Sequence, residues 1–252
     1  FDMLECKPAV TPCLVSKLPV LQRSTIAVPY RKLVGGLNYL ATCTRPDISF
    51  AVQLLSRHLL GFGEEHWLAA KRVLRYLKGT MNYVLMYRSS VSDAPLIYCD
   101  SSFNSTHDHR SITGEIVLSA DAAIMWRSKK QSTIADSTTY AETNAVHDAS
   151  RTAAYLRGLY ADLVAPFSQP LVILCDNSAA VLFSKCEQQT SRTGHFHLRL
   201  NYIREQVSHE VCVIQYVPTS DNISDLLTKP LPGPTFAKHC RRLGLVDLST
   251  VT

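Results

Sequence analysis

Two short stretches, LIYCD (96–100) and LVILCD (171–176), decide the fold. Each is an apolar run too short for a helix, ending in Cys and then Asp. Leu171–Cys175 reads as a strand buried on both faces, the pattern of a parallel sheet covered by helices. Around these two runs the period alternates. Glu115–Ser119 and Ala122–Trp126 read as a hairpin turning at Ala120-Asp121. Residues 138–163 read as one long helix, with shorter helices at 177–185 and 195–208. Val211–Val217 is a further strand, and Ser220–Thr228 a last short helix before Pro230. The order β-β-β-α-β-α-α-β-α implies an α/β domain with a mixed sheet flanked by helices.

The preceding residues have another character. Residues 1–28, with Pro8, Pro12 and Pro19, read as an extended tail. Tyr30–Thr42, Asp47–Leu60 and Glu64–Lys78 read as helices, punctuated by Pro46, by Gly61-Phe62-Gly63 and by Gly79. On the third, Trp67, Ala70, Val73, Leu74 and Leu77 share one arc at ~100° per residue. Lys71, Arg72, Arg75 and Lys78 share the other, which reads either as a solvated face or as a surface that tracks phosphates.

Composition bounds the rest. The chain has 252 residues, 46% apolar and 19% charged, which is globular and long enough for a sizeable core. No run approaches the ~20 apolar residues of a membrane span. The chain opens on Phe1 with no basic-then-apolar leader, so an intracellular piece of something longer is expected. The net charge of +5 is uneven. Residues 1–94 carry 12 Lys and Arg against 6 Asp and Glu, and residues 95–252 carry 14 against 15. That asymmetry suggests a polyanion-binding part beside a part with another task. The eight cysteines form no CxxC, which argues against zinc ribbons and thioredoxin-type chemistry. His107-x-His109 and His195-x-His197 lack a third ligand at zinc spacing. No GxSxG elbow or Walker loop is present.

Four carboxylates stand out by position. Asp100 and Asp176 end the two apolar strands, where an ionised group is costly unless paired. Glu142 heads the stripe Ala145, Val146, Ala149, Ala153 and Leu156, so it lies on the buried face of the long helix. Asp225 lies in the last short helix. Singly, each also reads as ordinary cap or first-turn chemistry; Asp176-Asn177-Ser178 is a good helix start. Together, four carboxylates at one end of a sheet must hold protons or bind divalent cations. Oxygen-only ligation selects Mg²⁺ or Mn²⁺, and two such ions ~3.5–4 Å apart suit phosphodiester cleavage.

Longer motifs now carry a resemblance. YRKLVGGLNYLATCTRPDISFAVQLLSRHL (30–59), HWLAAKRVLRYLKGT (66–80), WRSKKQST (126–133), LCDNSAA (174–180), HLRLNYIRE (197–205) and YVPTSDNISDLLTKPLP (216–232) stand in one order. The chain resembles the C-terminal part of copia-type long-terminal-repeat retrotransposon polyproteins. The match covers the end of the reverse transcriptase and the ribonuclease H domain. The resemblance implies a ribonuclease H-like mixed five-stranded sheet preceded by a small helical segment. The implied parts are a tail (1–28), a thumb- or connection-like helical remnant (29–92), the nuclease domain (93–230) and a C-terminal tail (231–252). It implies cleavage of the RNA strand of RNA/DNA hybrids with two Mg²⁺ or Mn²⁺ ions on Asp100, Glu142, Asp176 and Asp225. No Tyr-x-Asp-Asp motif is present, so no polymerase activity is expected; the palm is a candidate partner.

Arg110, Thr113, Lys129, Lys130, Asn177, Ser178 and His195, with Lys71, Arg75 and Lys78, are the candidate nucleic-acid contacts. The chain departs from the family pattern at Ser102, Phe103, Ser105, Tyr140 and His197. Those departures leave a second reading open, a catalytically decayed nucleic-acid-binding or structural remnant. An integrase-type enzyme fits less well, because Glu142 comes second of the four and not last.

Overall fold

The structure is a computed structural model that describes residues 1, 3–88, 94–185 and 197–250. The candidate contact His195 lies outside the described residues. Three helices come first: α1 (Tyr30–Cys43), α2 (Ser49–Ser56) and α3 (Glu64–Gly79). A short strand, β1 (Tyr83–Leu85), precedes the sheet strands β2 (Leu96–Ser102), β3 (Ile112–Ser119) and β4 (Ala122–Lys130). Then follow α4 (Thr138–Leu163), β5 (Leu171–Cys175), α5 (Ser178–Lys185), α6 (His197–Ser208) and β6 (Cys212–Tyr216). The chain ends with α7 (Gly233–Arg242) and β7 (Leu245–Asp247).

Strands β4-β3-β2-β5-β6 form one five-stranded sheet. The β2–β3 and β3–β4 pairs are antiparallel, while β2–β5 and β5–β6 are parallel. The parallel pairs need crossovers, which α4 and the α5–α6 pair supply. This is the ribonuclease H-like mixed sheet expected from the motifs.

Each face of the sheet has its own core. Ile97, Cys99, Val117, Ile173 and Ile214 pack against Ala145, Val146, Ala149, Ala153 and Leu156 of α4. Small residues along that stripe let the helix lie close to the sheet. On the other face, Tyr98 and Ile116 meet α1, α2, α3 and the last residues in one continuous core. Trp126 fastens the layers by donating its Nε1–H to the Ala41 carbonyl at 2.6 Å. This second layer covers β5 incompletely. Leu171, Ile173 and Cys175 are buried, but Val172 and Leu174 keep some exposure, so the strand alternates where full burial was expected.

Several elements differ from expectation. The helix expected over Asp47–Leu60 is a 3₁₀ turn (Pro46–Ile48) followed by α2, which stops at Ser56. The leading segment packs against the residues that follow. A Cβ on Gly61 would sit 1.9 Å from the Leu21 carbonyl oxygen, and Thr25 N–H donates to the Phe62 carbonyl at 2.9 Å. The expected helix Ser220–Thr228 is two 3₁₀ turns, Thr219–Asp221 and Ile223–Leu227, because Asn222 between them is extended. Residues 231–252 are no mere tail. Phe236, His239, Cys240 and Leu243 form a buried stripe at helical spacing, and β7 pairs antiparallel with β1. The basic arc of α3 is not a free face. Arg75 donates to the Lys7 carbonyl at 2.7 Å, Arg72 to Thr11 at 3.2 Å, and Lys78 to the Leu4 carbonyl. Lys71 lies over the Trp67 ring. The helix charges therefore hold the chain's own first residues.

A buried ion pair ties the helical layer together. Arg45 and Asp47 meet at 2.8 Å, Tyr76 donates to Asp47 at 2.5 Å, and Arg45 reaches the Thr80 carbonyl at 3.1 Å. Removing one partner leaves an uncompensated charge in the interior. Asp47→Ala is expected to lower unfolding stability by about 3–5 kcal/mol in urea titrations. A loss below about 1 kcal/mol would show that water reaches Arg45.

Candidate active site

Asp100 is on β2, buried, opposite Gly114 of β3. That glycine is required by packing. A Cβ there would lie 2.7 Å from both the Ser224 carbonyl oxygen and the Thr228 methyl. The bare backbone lets the Ile223–Leu227 turn settle over β3 and carry Asp225 toward Asp100. Two side chains fasten the turn. Asn222 donates to the Cys99 carbonyl at 3.0 Å, and Ser128 donates to the Leu227 carbonyl at 2.6 Å. Thr228 then donates its hydroxyl to Asp100 Oδ2, and Lys229 Nζ pairs with Asp225 Oδ1 at 2.8 Å.

Asp176 directly follows β5, half-buried. Glu142 is in the second turn of α4, whose start is capped by Ser137 accepting from the Tyr140 N–H. Gln131, just past β4, locks that helix to the sheet. Its Nε2 donates to Thr113 Oγ1 at 3.0 Å, to the Ala141 carbonyl at 2.9 Å and, more weakly, to Ser101 Oγ at 3.3 Å. Its Oε1 accepts from Asn144 at 2.9 Å, and Asn144 in turn accepts from Arg199 of α6.

The four carboxylates converge. One oxygen each from Asp100, Asp176 and Asp225 lie within 4.8 Å of one another. One oxygen each from Glu142 and Asp176, with the Cys175 sulfur, form a second such group. Asp176 belongs to both. Glu142 Oε2 is buried with no hydrogen-bond partner among the described residues.

The electrostatics follow from crowding. Burial, then Asp100, Cys175 and Asp176, push the Glu142 carboxyl well above the usual range. Burial raises Asp100 too, with Lys229 and Thr228 opposing. Burial and then Asp100 push Asp225 up to about 7. Burial pulls the Lys229 ammonium down, but Asp100 and Asp225 outweigh it and the net shift is upward. Oxygen donors with an orphaned buried oxygen fit a hard divalent cation, Mg²⁺ or Mn²⁺.

The other candidates are placed differently. Thr113 is buried and accepts from Gln131, so it supports the sheet and is not offered to a ligand. Asn177 caps α5 by accepting from the Ala180 N–H at 2.9 Å. Ser178 and Lys129 are exposed. Lys130 pairs with Asp108 at 2.8 Å, and Arg110 approaches the same carboxylate at 3.5 Å. His107 and His109 hydrogen-bond to the Leu18 carbonyl and to Asn104. Lys71, Arg75 and Lys78 stay in the α3 layer under the leading segment. Sequence reasoning assigned no role to Gln131, Gly114, Thr228 or Lys229. All four lie in or beside polar motifs, but nothing in spacing alone says which side chain turns inward.

No family model matches. The chain is 36% identical over 251 residues to the retrovirus-related Pol polyprotein from transposon RE2 of Arabidopsis thaliana, covering 98% of this chain and 17% of that protein. It is 35% identical over 255 residues to the corresponding polyprotein from transposon TNT 1-94 of Nicotiana tabacum, covering 96% of this chain and 19% of that protein. The chain belongs to the retrovirus-related Pol polyproteins of copia-type transposons. It spans less than a fifth of the length of these relatives. Among solved structures, LC11-RNase H1 isolated from compost overlays with a TM-score of 0.43 and 14% identity, over 58% of this chain and 98% of that one.

The raised carboxyls make metal-free stability depend on pH. For Asp225, raised to about 7, the contribution is fully present below about pH 4 and is lost as pH rises through about 7. Chemical denaturation without metal is expected to show the stability of the wild type relative to Asp225→Asn falling across that window; total stability is also moved the other way by His58 and His239, which burial lowers to about 4. Added Mn²⁺ should restore it at pH 7.5 and do little at pH 4.5. A wild-type stability relative to Asp225→Asn that rises through the window without metal would contradict the carboxylate assignment.

Proposed function

We propose that the chain is a ribonuclease H-type endonuclease that cleaves the RNA strand of an RNA/DNA hybrid. The observation that carries this reading is the meeting of Asp100, Glu142, Asp176 and Asp225 at one end of the mixed sheet. Homology to retrotransposon Pol polyproteins supplies a setting in which such hybrids arise. In this reading, residues 29–92 are the remainder of a reverse transcriptase and residues 93–230 the nuclease. A reverse-transcriptase palm, with the rest of the polyprotein, is the proposed partner.

Asp100, Asp176 and Asp225 would hold one ion, and Glu142 with Asp176 a second. When bound, the two ions would activate a water and stabilise the leaving oxygen of the scissile phosphodiester. The chain's own part is to fix this donor set. Gln131 holds Glu142 against β2, and Asn222 holds Asp225 against the same strand. Thr228 orients Asp100 by donating to one of its oxygens and leaving the other for an ion. Lys129, exposed beside the active end of β4, is placed to meet a phosphate of the DNA strand. Lys130 and Arg110, which share Asp108, would add to that contact.

One observation favours a second reading. Thr228 donates to Asp100 and Lys229 ion-pairs with Asp225 without any metal, as in a decayed, purely structural cluster. Incubating the protein with a labelled RNA/DNA hybrid and Mg²⁺ or Mn²⁺ separates the two. Cleavage confined to the RNA strand, reduced about 100-fold or more in Asp176→Asn, is expected. A folded protein that binds the hybrid and never cuts it would leave the structural reading.

A further inference from the structure

Beside the all-oxygen group, we propose that Cys175, Glu142 and Asp176 form a site for one thiophilic divalent cation, Zn²⁺ or Cd²⁺. The sulfur and one oxygen of each carboxylate lie within 4.8 Å of one another, close enough to ligate a single ion. Glu142 is 7% exposed and its Oε2 has no partner among the described residues, so a buried donor already waits there. Asp176 is only half-buried, which leaves a route from solvent.

The surroundings of Cys175 point the same way. Its sulfur accepts the Asn177 backbone N–H at 3.4 Å. Cys99 pairs with Cys175 across the parallel β2–β5 ladder and donates its own thiol to the Leu174 carbonyl at 3.7 Å. A mixed set of one sulfur and two oxygens selects a softer ion than the group formed by Asp100, Asp176 and Asp225. On binding, a sulfur–metal bond forms, the thiol proton passes to solvent, and no electrons are exchanged.

The occupied site would take Asp176 and Glu142 from the Mg²⁺ or Mn²⁺ ions. A thiophilic ion would then inhibit the nuclease and excess Mg²⁺ would compete with it. That consequence rests on the nuclease reading; the binding itself does not.

The test is a Cd²⁺ titration of the metal-free full chain, followed by the ultraviolet thiolate-to-Cd²⁺ charge-transfer band. The band should saturate at one equivalent in the wild type and in Cys43→Ser, a control at an exposed cysteine. It should vanish in Cys175→Ala, and Glu142→Gln should weaken binding about 10-fold or more. An equal band in Cys175→Ala, or none in the wild type, overturns the site. Should Cys175→Ala not fold, X-ray absorption at the cadmium edge on the wild type with one equivalent decides. One sulfur among oxygens supports the site, and an all-oxygen or sulfur-rich shell overturns it. Hybrid cleavage in Mg²⁺ is read separately. Cys175-dependent Cd²⁺ binding by a protein that cuts no hybrid would uphold the site and remove only the inhibition.

Discussion

Mutual repulsion among Asp100, Glu142, Asp176 and Asp225 is the constraint around which this fold is arranged. Like charges a few ångströms apart and shielded from water cannot all stay ionised. The chain meets this with raised carboxyls, with one lysine and with one threonine hydroxyl. The rest of the domain keeps the group from spreading. Gly114 gives the Ile223–Leu227 turn room to close, Asn222 ties that turn to β2, and Gln131 holds α4 against two strands. A cluster so confined has more to gain from a divalent cation than from further hydrogen bonds.

The helical layer plays a supporting part. It covers the face of the sheet opposite α4 and shares one core with β2 and β3. The last residues close that core, with Phe236 meeting Tyr76 edge to face at 5.6 Å. The basic arc of α3 is turned largely to the chain's own use, with Arg75, Lys78 and Arg72 binding the Lys7 and Leu4 carbonyls and the Thr11 hydroxyl. Net charge counted along the sequence therefore overstated how much of the front half is offered to a polyanion.

Much of this was legible in the sequence, for particular reasons. The runs ending in Asp100 and Asp176 read as strands because they are short and rich in β-branched and aromatic residues. The stripe from Glu142 to Leu156 fixed the buried face of α4, and all its members are buried. What stayed hidden depends on contacts distant in the chain. No local pattern says that Gly114 must be bare, since the atoms it avoids belong to Ser224 and Thr228. Nor does any pattern say that Gln131 reaches the Ala141 carbonyl. The stripe through Phe236, Cys240 and Leu243 was readable, but Pro230, Pro232 and Pro234 made the segment look like loose tail. Its partner strand β1 is only three residues long.

The central claim is that the four carboxylates form one cation-binding unit. Electron paramagnetic resonance of the full chain with two equivalents of Mn²⁺ and a hybrid of non-cleavable RNA tests it directly. Loss of the six-line signal of the free ion, replaced by the spectrum of a spin-coupled pair, is the expected result. A free-ion signal that persists at full intensity would contradict it.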